Sequence, residues 1–318
     1  MEYDTAGDPI TGLKWTRKTT EKIASELKSI GIKVSSNTVG KLLRDMGFSL
    51  RVNQKKIASA GKPISKEEKE IRNCQFIYIR HLRETFAQKG YPVISVDAKK
   101  KELIGNFKNP GTSYSLEPVL TNDHDFRSYS IGIGIPYGIY DTLVNHRHGV
   151  VYVGTTFDTP EFAVESIEKW WTSEGDRRYR NAKEILILAD GGGSNSSRSR
   201  AWKYEIQHKL CNRYGISVTV CHYPPGTSKW NPIEHRLFSE ISKNWAGIPL
   251  KSYETIINHI RTTKTSTGLR VNAYLAEKAY EKGVKISEPQ MSNICLQKHE
   301  TFPKWNYTIK SMKMGNYF

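Results

Sequence analysis

The spacing of apolar residues changes character twice along the 318-residue chain. Near the N-terminus it is helical. Ile23, Leu27 and Ile30 fall at i, i+4 and i+7 after Thr20, and Gly31 follows, which predicts a short amphipathic helix with a cap and a stop. Ser36 can cap a second helix whose buried stripe is Val39, Leu42, Leu43 and Met46, with Gly47 as its stop and Asn37, Thr38, Lys41 and Arg44 facing outward. Two such helices with polar and basic residues at the start of the second suit a helix-turn-helix in a DNA major groove. A plain helical hairpin would share the pattern, though not the basic flank Arg51, Lys55, Lys56 and Lys62. Beyond Gly61-Lys62-Pro63, Ser65 and Glu68 form a capping-box signature. It opens a long helix with Ile71, Tyr78, Ile79, Leu82 and Phe86 on its apolar face and Gly90 at its end.

The pattern then becomes extended. Tyr91 to Asp97 is a buried-strand run, Ser128 to Ile135 alternates, and Val150 to Phe157 is β-branched and aromatic. Thr159-Pro160-Glu161 is a cap with proline at the first helical position, ahead of Phe162, Ile167, Trp170 and Trp171. Next come a strand from Glu184 to Ala189, a helix from Arg198 to Tyr214, a strand from Ile216 to Tyr223 and a helix from Pro232 to about Trp245. A meander feeding βα units, in the order βββαβαβα, predicts an α/β fold with the mixed sheet of ribonuclease H. The expected division is a helix-turn-helix segment (1–60), a connector helix (61–90), a ribonuclease H-like catalytic domain (91–248) and a C-terminal α+β extension (249–318). Within the extension, only Trp305 to Ile309 reads as strand.

Composition narrows the function. Forty-eight Lys and Arg against 32 Asp and Glu leave a net charge of +16, and the pI is near 9.5. Such a field attracts polyanions and gains from counterion release, so nucleic acid is the expected partner. With 37% hydrophobic residues the chain can build a core, which excludes wholesale disorder. Mean hydropathy is −0.57, and no apolar run approaches a membrane span of ~18 residues. No export signal opens the chain, so the expected location is cytoplasmic, at the nucleoid. Four scattered cysteines without a CxxC pair argue against a zinc ribbon or disulfide framework and predict buried or inert thiols.

Three carboxylates carry the candidate chemistry. Asp97 follows Val93-Ile94-Ser95-Val96 at the end of the first strand, and Asp190 closes Ile185 to Ala189 at the end of the fourth. Glu234 opens the last helix of the unit. An ionised group at the end of a buried strand is costly unless paired, and no local partner exists for either aspartate. Brought together in a cleft, the three would bind a hard cation, Mg²⁺ or Mn²⁺. Two such ions suit in-line phosphodiester displacement. The plainer alternatives are turn-capping aspartates and a capping role for Glu234 behind Asn231 and Pro232. They leave unexplained why all three fall on one βββαβαβα unit. Gly191-Gly192-Gly193 lets a backbone approach a phosphate but lacks a P-loop continuation. Lys99, Lys100, Arg198, Lys203, Lys229 and His235 put positive charge beside the carboxylates, and Trp230 can stack on or wedge beside a base. No GxSxG or GxGxxG motif is present, so hydrolase and dinucleotide chemistry are unsupported.

Leu188-Ala189-Asp190-Gly191-Gly192-Gly193-Ser194-Asn195, the block from Cys221 to Arg236 containing Lys229-Trp230-Asn231-Pro232-Ile233-Glu234-His235, and Val96 to Glu102 resemble the signature blocks of the ISAzo-type DDE transposases of bacterial insertion sequences. Trp305-Asn306-Tyr307-Thr308-Ile309 resembles that family's C-terminal motif, and the likeness extends from about Asp8 to Lys310. The resemblance implies that Asp97, Asp190 and Glu234 are the DDE triad of an enzyme related to retroviral integrases. It further implies metal-dependent cleavage at terminal inverted repeats, followed by strand transfer by the 3′-hydroxyl. The expected partners are the element's ends, target DNA and further copies of the chain on DNA. The family usually carries another helical DNA-binding segment ahead of Asp8-Pro9. Two alternatives remain at this level: a truncated or repurposed DNA-binding relative without catalysis, and a ribonuclease H-like nuclease that cuts without joining.

Overall fold

The computed structural model describes residues 5–7, 14–16, 18–48, 65–113, 116–143 and 147–312. Two units are present, Met1–Gly61 and Lys62–Phe318. In the first, strands β1 (Thr5–Gly7) and β2 (Lys14–Thr16) pair antiparallel, and helices α1 (Thr20–Ser29) and α2 (Ser36–Asp45) follow. Thr19 caps α1, and Ser35, one residue before the expected position, caps α2 by accepting from the Thr38 N–H. Of the expected apolar stripes, Ile23 and Val39 are buried, whereas Ile30, Leu42 and Met46 are exposed. Asn37, Thr38, Lys41 and Arg44 are exposed. The basic flank from Arg51 to Lys62 lies outside the described residues.

The second unit begins with α3 (Lys66–Gln88), where Ser65 and Glu68 form the expected capping box. Then come β3 (Val93–Ala98), β4 (Glu102–Ile104), β5 (Gly132–Asp141), β6 (His148–Gly154) and α4 (Pro160–Trp170). Thr159 caps α4, which continues through a π-helical turn, Trp171–Gly175, into α5 (Asp176–Arg178). After β7 (Glu184–Ala189), α6 (Arg200–Glu205) runs through a second π turn, Ile206–Cys211, into α7 (Asn212–Tyr214). β8 (Ser217–His222) precedes a third π turn, Glu234–Phe238, which leads into α8 (Ser239–Asn244). The chain ends through α9 (Tyr253–Arg261), β9 (Arg270–Ala276), α10 (Glu288–Ser292), β10 (Leu296–Lys298) and β11 (Asn306–Ile309).

Nine strands form one sheet in the order β10-β11-β8-β7-β3-β5-β6-β9, with β4 paired to β5. β5 runs antiparallel to β3 and β6, while β7 and β8 run parallel to β3. That central order and polarity is the ribonuclease H arrangement. Its main core lies where α4 and the Arg200–Tyr214 helix cover one face, through Phe162, Ile167, Trp170, Trp202 and Ile206 against Ile94, Val96, Ile185 and Ile187. On the other side, Ile79 and Phe86 of α3 cover Val93, Leu186 and Leu188.

Two departures from the sequence pattern concern the strands. The second strand runs from Gly132 to Asp141 rather than from Ser128 to Ile135, and Arg127–Tyr129 forms a 3-10 turn. Both faces of β5 are covered, so the strand has no polar alternation to reveal it. β9 and β10, in the segment expected to hold mainly helical stretches, join the two sheet edges, β9 parallel to β6 and β10 antiparallel to β11. The partner of β9 lies 122 residues away in sequence, and β10 pairs with β11, itself an element recruited to the sheet by β8. Of the thiols, all free, Cys211 and Cys221 are buried, and Cys74 and Cys295 are exposed. No helix among the described residues is long and apolar enough to cross a membrane.

Two glycines seat the helix that carries Glu234. A Cβ on Gly138 of β5 would lie 2.6 Å from Phe238 Cε1 and 2.9 Å from Ile233 Cδ1, and one on Gly149 of β6 would lie 2.6 Å from Leu237 Cδ1. The missing side chains let this helix approach the sheet closely. Gly138→Ala should therefore overpack the contact, lowering stability by ~1–3 kcal/mol in denaturant unfolding. A value near zero would show that Phe238 and Ile233 can move aside.

Candidate active site

Parallel pairing of β3 with β7 sets Val96 opposite Ala189, so the next residues in this register are Asp97 and Asp190. Adjacent strands lie ~4.8 Å apart, which brings both carboxyl groups to the same end of the sheet. Asp97 also pairs with Gly138, the glycine on which Ile233 rests, and this places Glu234 beside it. The Asp97 and Glu234 side chains hydrogen-bond, and Asp190 lies within electrostatic reach of both. Asp97 and Asp190 line a cavity of about 410 Å³ together with Asp158, Gly191 to Ser194, Arg198 and Pro224 to Gly226. The glycine run after Asp190 thus forms one wall, with Gly193 in the left-handed region at φ +61°.

The electrostatics are those of a site with surplus negative charge. Burial, then the Asp190 carboxylate, then Glu234 push Asp97 from its ordinary 3.8 to about 8. Burial is also the main cause that raises Asp190 to about 6, with Glu234 adding to it and the Asn231 hydrogen bond opposing it. Asp97 is therefore protonated at neutral pH and can donate to Glu234. As arranged, no three His, Cys, Asp or Glu side chains among the described residues close around one point. The donors nevertheless fit a hard divalent cation. They are all oxygens, and Asp158 in the same cavity has a buried Oδ1 without a hydrogen-bond partner.

Side chains around Asp190 fix its position. Asn231, fully buried, donates from Nδ2 to Asp190 Oδ1 at 3.1 Å, and its Oδ1 accepts from the Ser95 hydroxyl of β3. Ser95 Oγ in turn accepts from the Ile233 N–H at 3.1 Å. This side-chain bridge joins the Asp97 strand, the Asp190 turn and the Glu234 helix. The capping role weighed as the plainer alternative for Glu234 is not made, since no side chain caps this helix start. His222 Nδ1 lies 3.1 Å from the Asp190 carbonyl and Nε2 lies 3.3 Å from Tyr307 Oη. Burial lowers His222 to about 4, so the ring is neutral. A carbonyl only accepts, so Nδ1 carries the proton and Tyr307 donates to Nε2 while accepting from Trp202 Nε1 at 3.0 Å. The C-terminal strand motif thereby supports the backbone of Asp190 through Tyr307.

The expected DNA-facing residues divide into two groups. Arg198 is exposed at the cavity wall, and Lys100, Lys229, Trp230 and His235 are exposed nearby in sequence. Lys99 instead pairs with Glu102 at 3.1 Å and lies 4.5 Å from the Trp245 ring centroid. Lys203 donates to the Ser197 carbonyl at 2.6 Å and sits 5.3 Å from the Tyr307 ring centroid. Both have internal partners because the chain folds an acceptor and an aromatic face against each. Pattern reading missed Asn231 as a bridge, His222 as a support and Asp158 as a cavity residue. Only Asp158 had a local signal, a carboxylate ahead of the Thr159-Pro160 cap.

Three comparisons extend this picture. A family model described as "Rhodopirellula transposase DDE domain" matches residues 1–311. No match was found among curated proteins. Among solved structures, the Mos1 transposase paired-end complex with left transposon end is similar at a TM-score of 0.45 and 16% identity, over 75% of this chain and 64% of that one. The Mos1 mariner paired end complex with Mn is similar at 0.42 and 16%, with the same coverage. The chain thus spans less than two thirds of the length of these Mos1 chains.

Two outcomes test the site. Without divalent ions, stability should fall as pH rises from about 4 to about 8, because the unfolded aspartates ionise near 3.8 while the folded ones resist to about 6 and 8. Asp97→Asn should flatten that slope in melting curves recorded with chelator, and an unchanged slope would place its origin elsewhere. Asn231→Ala should cost ~1–3 kcal/mol by leaving Ser95 and Asp190 short of partners. Unaltered denaturant unfolding would remove Asn231 from the bridge.

Proposed function

The chain belongs to the Rhodopirellula transposase DDE-domain family, and we propose from this membership and the carboxylate geometry that it cleaves insertion-sequence ends and joins them to target DNA. The observation that carries the reading is the meeting of Asp97, Asp190 and Glu234 at one end of the sheet, where burial and then the neighbouring carboxylates raise Asp97 to about 8. A stable arrangement of this kind calls for a compensating cation. Asp97, Asp190 and Glu234 would hold Mg²⁺ or Mn²⁺, with Asp158 beside them. When bound, two such ions supply an activated attacking oxygen and charge neutralisation on the phosphoryl group.

The protein's own groups would hold and orient. Asn231 and His222 keep the Asp190 turn in place from its side chain and its carbonyl. The Gly191-Gly192-Gly193 wall leaves room for the sugar-phosphate backbone, and Arg198 and Lys100 would pair with phosphates. Asp97 would release its proton as it takes up a cation. Water would attack first at the end of the element, and the freed 3′-hydroxyl would then attack target DNA. In the first unit, Asn37, Thr38, Lys41 and Arg44 on α2 would meet a DNA groove as a helix-turn-helix. Further copies of the chain would assemble on the paired ends.

A strand-transfer assay with Mg²⁺ or Mn²⁺ and labelled ends of the element flanking the gene tests this reading. Wild type should yield joined products, and Glu234→Gln should reduce them by several orders of magnitude while end binding persists. End binding without products from either protein would favour a non-catalytic DNA-binding relative. Cut but never joined DNA would favour a nuclease.

A further inference from the structure

Two cavities apart from the carboxylates join into one groove. The smaller, about 320 Å³, is lined by Arg80, Arg83 and Glu84 of α3, and the larger, about 650 Å³, by Arg83, Arg147 and Arg236. They share Arg83, Thr142 and Leu143, and neither shares a lining residue with the carboxylate cavity. Four guanidinium groups thus converge from three segments: one side of α3, the residue ahead of β6, and the turn that opens with Glu234. Arg80 and Arg83 fall three residues apart, as neighbours on the helix surface. Two carboxylates also line the groove, Glu84 and Glu240, and Glu240 is paired with Lys243 at 2.6 Å.

A single exposed arginine on a chain of net charge +16 needs no explanation beyond hydration. A convergence of four does. Arg147 donates to the Thr267 carbonyl, while Arg80, Arg83 and Arg236 make no hydrogen bond or ion pair among the described residues. Burial raises the proton affinity of the Tyr140 phenol, and Arg236 and Arg147 both oppose that rise, so their guanidinium groups lie within electrostatic reach of one point. Like charges gathered in this way repel, and an anion that pairs with them removes the cost. Every Lys or Arg that lines the groove is an arginine, whose planar fork meets two oxygens of one phosphate at once. Because the four groups are spread over both cavities, a ligand that pairs them all carries several phosphates along its length. A DNA backbone does so, whereas an isolated phosphate does not.

We propose that Arg80, Arg83, Arg147 and Arg236 hold the sugar-phosphate backbone of double-stranded DNA in this groove, on a surface separate from the carboxylate cavity. The proposal rests on the reading of the chain as a DNA-processing protein, and it names where such a protein grips DNA irrespective of base sequence. Arg236 stands on the same turn as Glu234, so a backbone held here is tied to the helix that carries one of the three carboxylates.

The test is DNA binding by the full chain with divalent ions chelated, so that it is independent of catalysis. The probes are a duplex of the element's end and an unrelated duplex of equal length. Arg83→Ala combined with Arg236→Ala should weaken binding by about tenfold or more and lower the slope of log affinity against log salt by about two. Arg83→Lys combined with Arg236→Lys keeps the charge and should restore the slope but only part of the affinity. Arg177→Ala, which removes an exposed guanidinium of α5 outside the groove, should leave affinity nearly unchanged. Loss on both probes would show a general backbone anchor, and loss on one would identify the DNA that lies there. Unchanged affinity for both in variants that melt like wild type would overturn the proposal, as would an equal loss from Arg177→Ala. Altered self-association in sedimentation with DNA affinity intact would overturn it in favour of an acidic protein segment. Failure of the strand-transfer assay with the arginine losses present would instead count against the transposase reading alone.

Discussion

Burial of carboxylates at the end of a parallel strand pair, with their mutual repulsion added to it, is the constraint to which the rest of this structure answers. The register of β3 and β7 places Asp97 and Asp190 side by side, and that register is set by the apolar runs ahead of them, buried on both faces. Hydrophobic burial thus delivers two acidic groups to a place that neither would choose. The strain shows in the raised proton affinity of Asp97 and Asp190. A fold that keeps such an arrangement gives up stability to hold these groups together.

The surroundings read as measures that hold those groups in place. Asn231 uses both ends of its amide, one toward Asp190 and one toward Ser95, so the strand and turn cannot drift independently. Behind them, Trp202, Tyr307 and His222 form a chain of oriented hydrogen bonds ending on the Asp190 carbonyl. Gln75 of α3 adds a bond to the His222 carbonyl and two to Asn306, tying the long helix and the last strand to the same place. The C-terminal strand therefore contributes to the site although it lies more than 70 residues beyond Glu234. Gly138 and Gly149 complete the set by letting the Glu234 helix lie close on the sheet.

Charge is distributed to match. The chain carries a net charge of +16, whereas Asp97, Asp190 and Glu234 gather at one end of the sheet in the second unit. Several lysines are nonetheless internal. Lys99 and Lys203 rest over aromatic rings and fill acceptors, which shows that a basic residue near a site in sequence need not face its ligand.

The central βββαβαβα order, the capping residues of α3 and α4 and the positions of Asp97 and Asp190 at strand ends could all be read along the chain. They depend on local spacing: apolar runs that end in an acid, a serine three residues before a glutamate, a proline after a threonine. The second strand's true extent, the edge strands β9 and β10, the bridge made by Asn231 and the support from Tyr307 could not. β9, the Asn231 bridge and the Tyr307 support depend on segments that lie side by side across 40 to more than 100 residues, and pairing of that kind has no local signature. The sequence by itself determined which residues carry charge and where strands end. Only the tertiary structure decided that Asp97, Asp190 and Glu234 share one low-dielectric space, because closing such distances requires the register and close packing of the whole sheet.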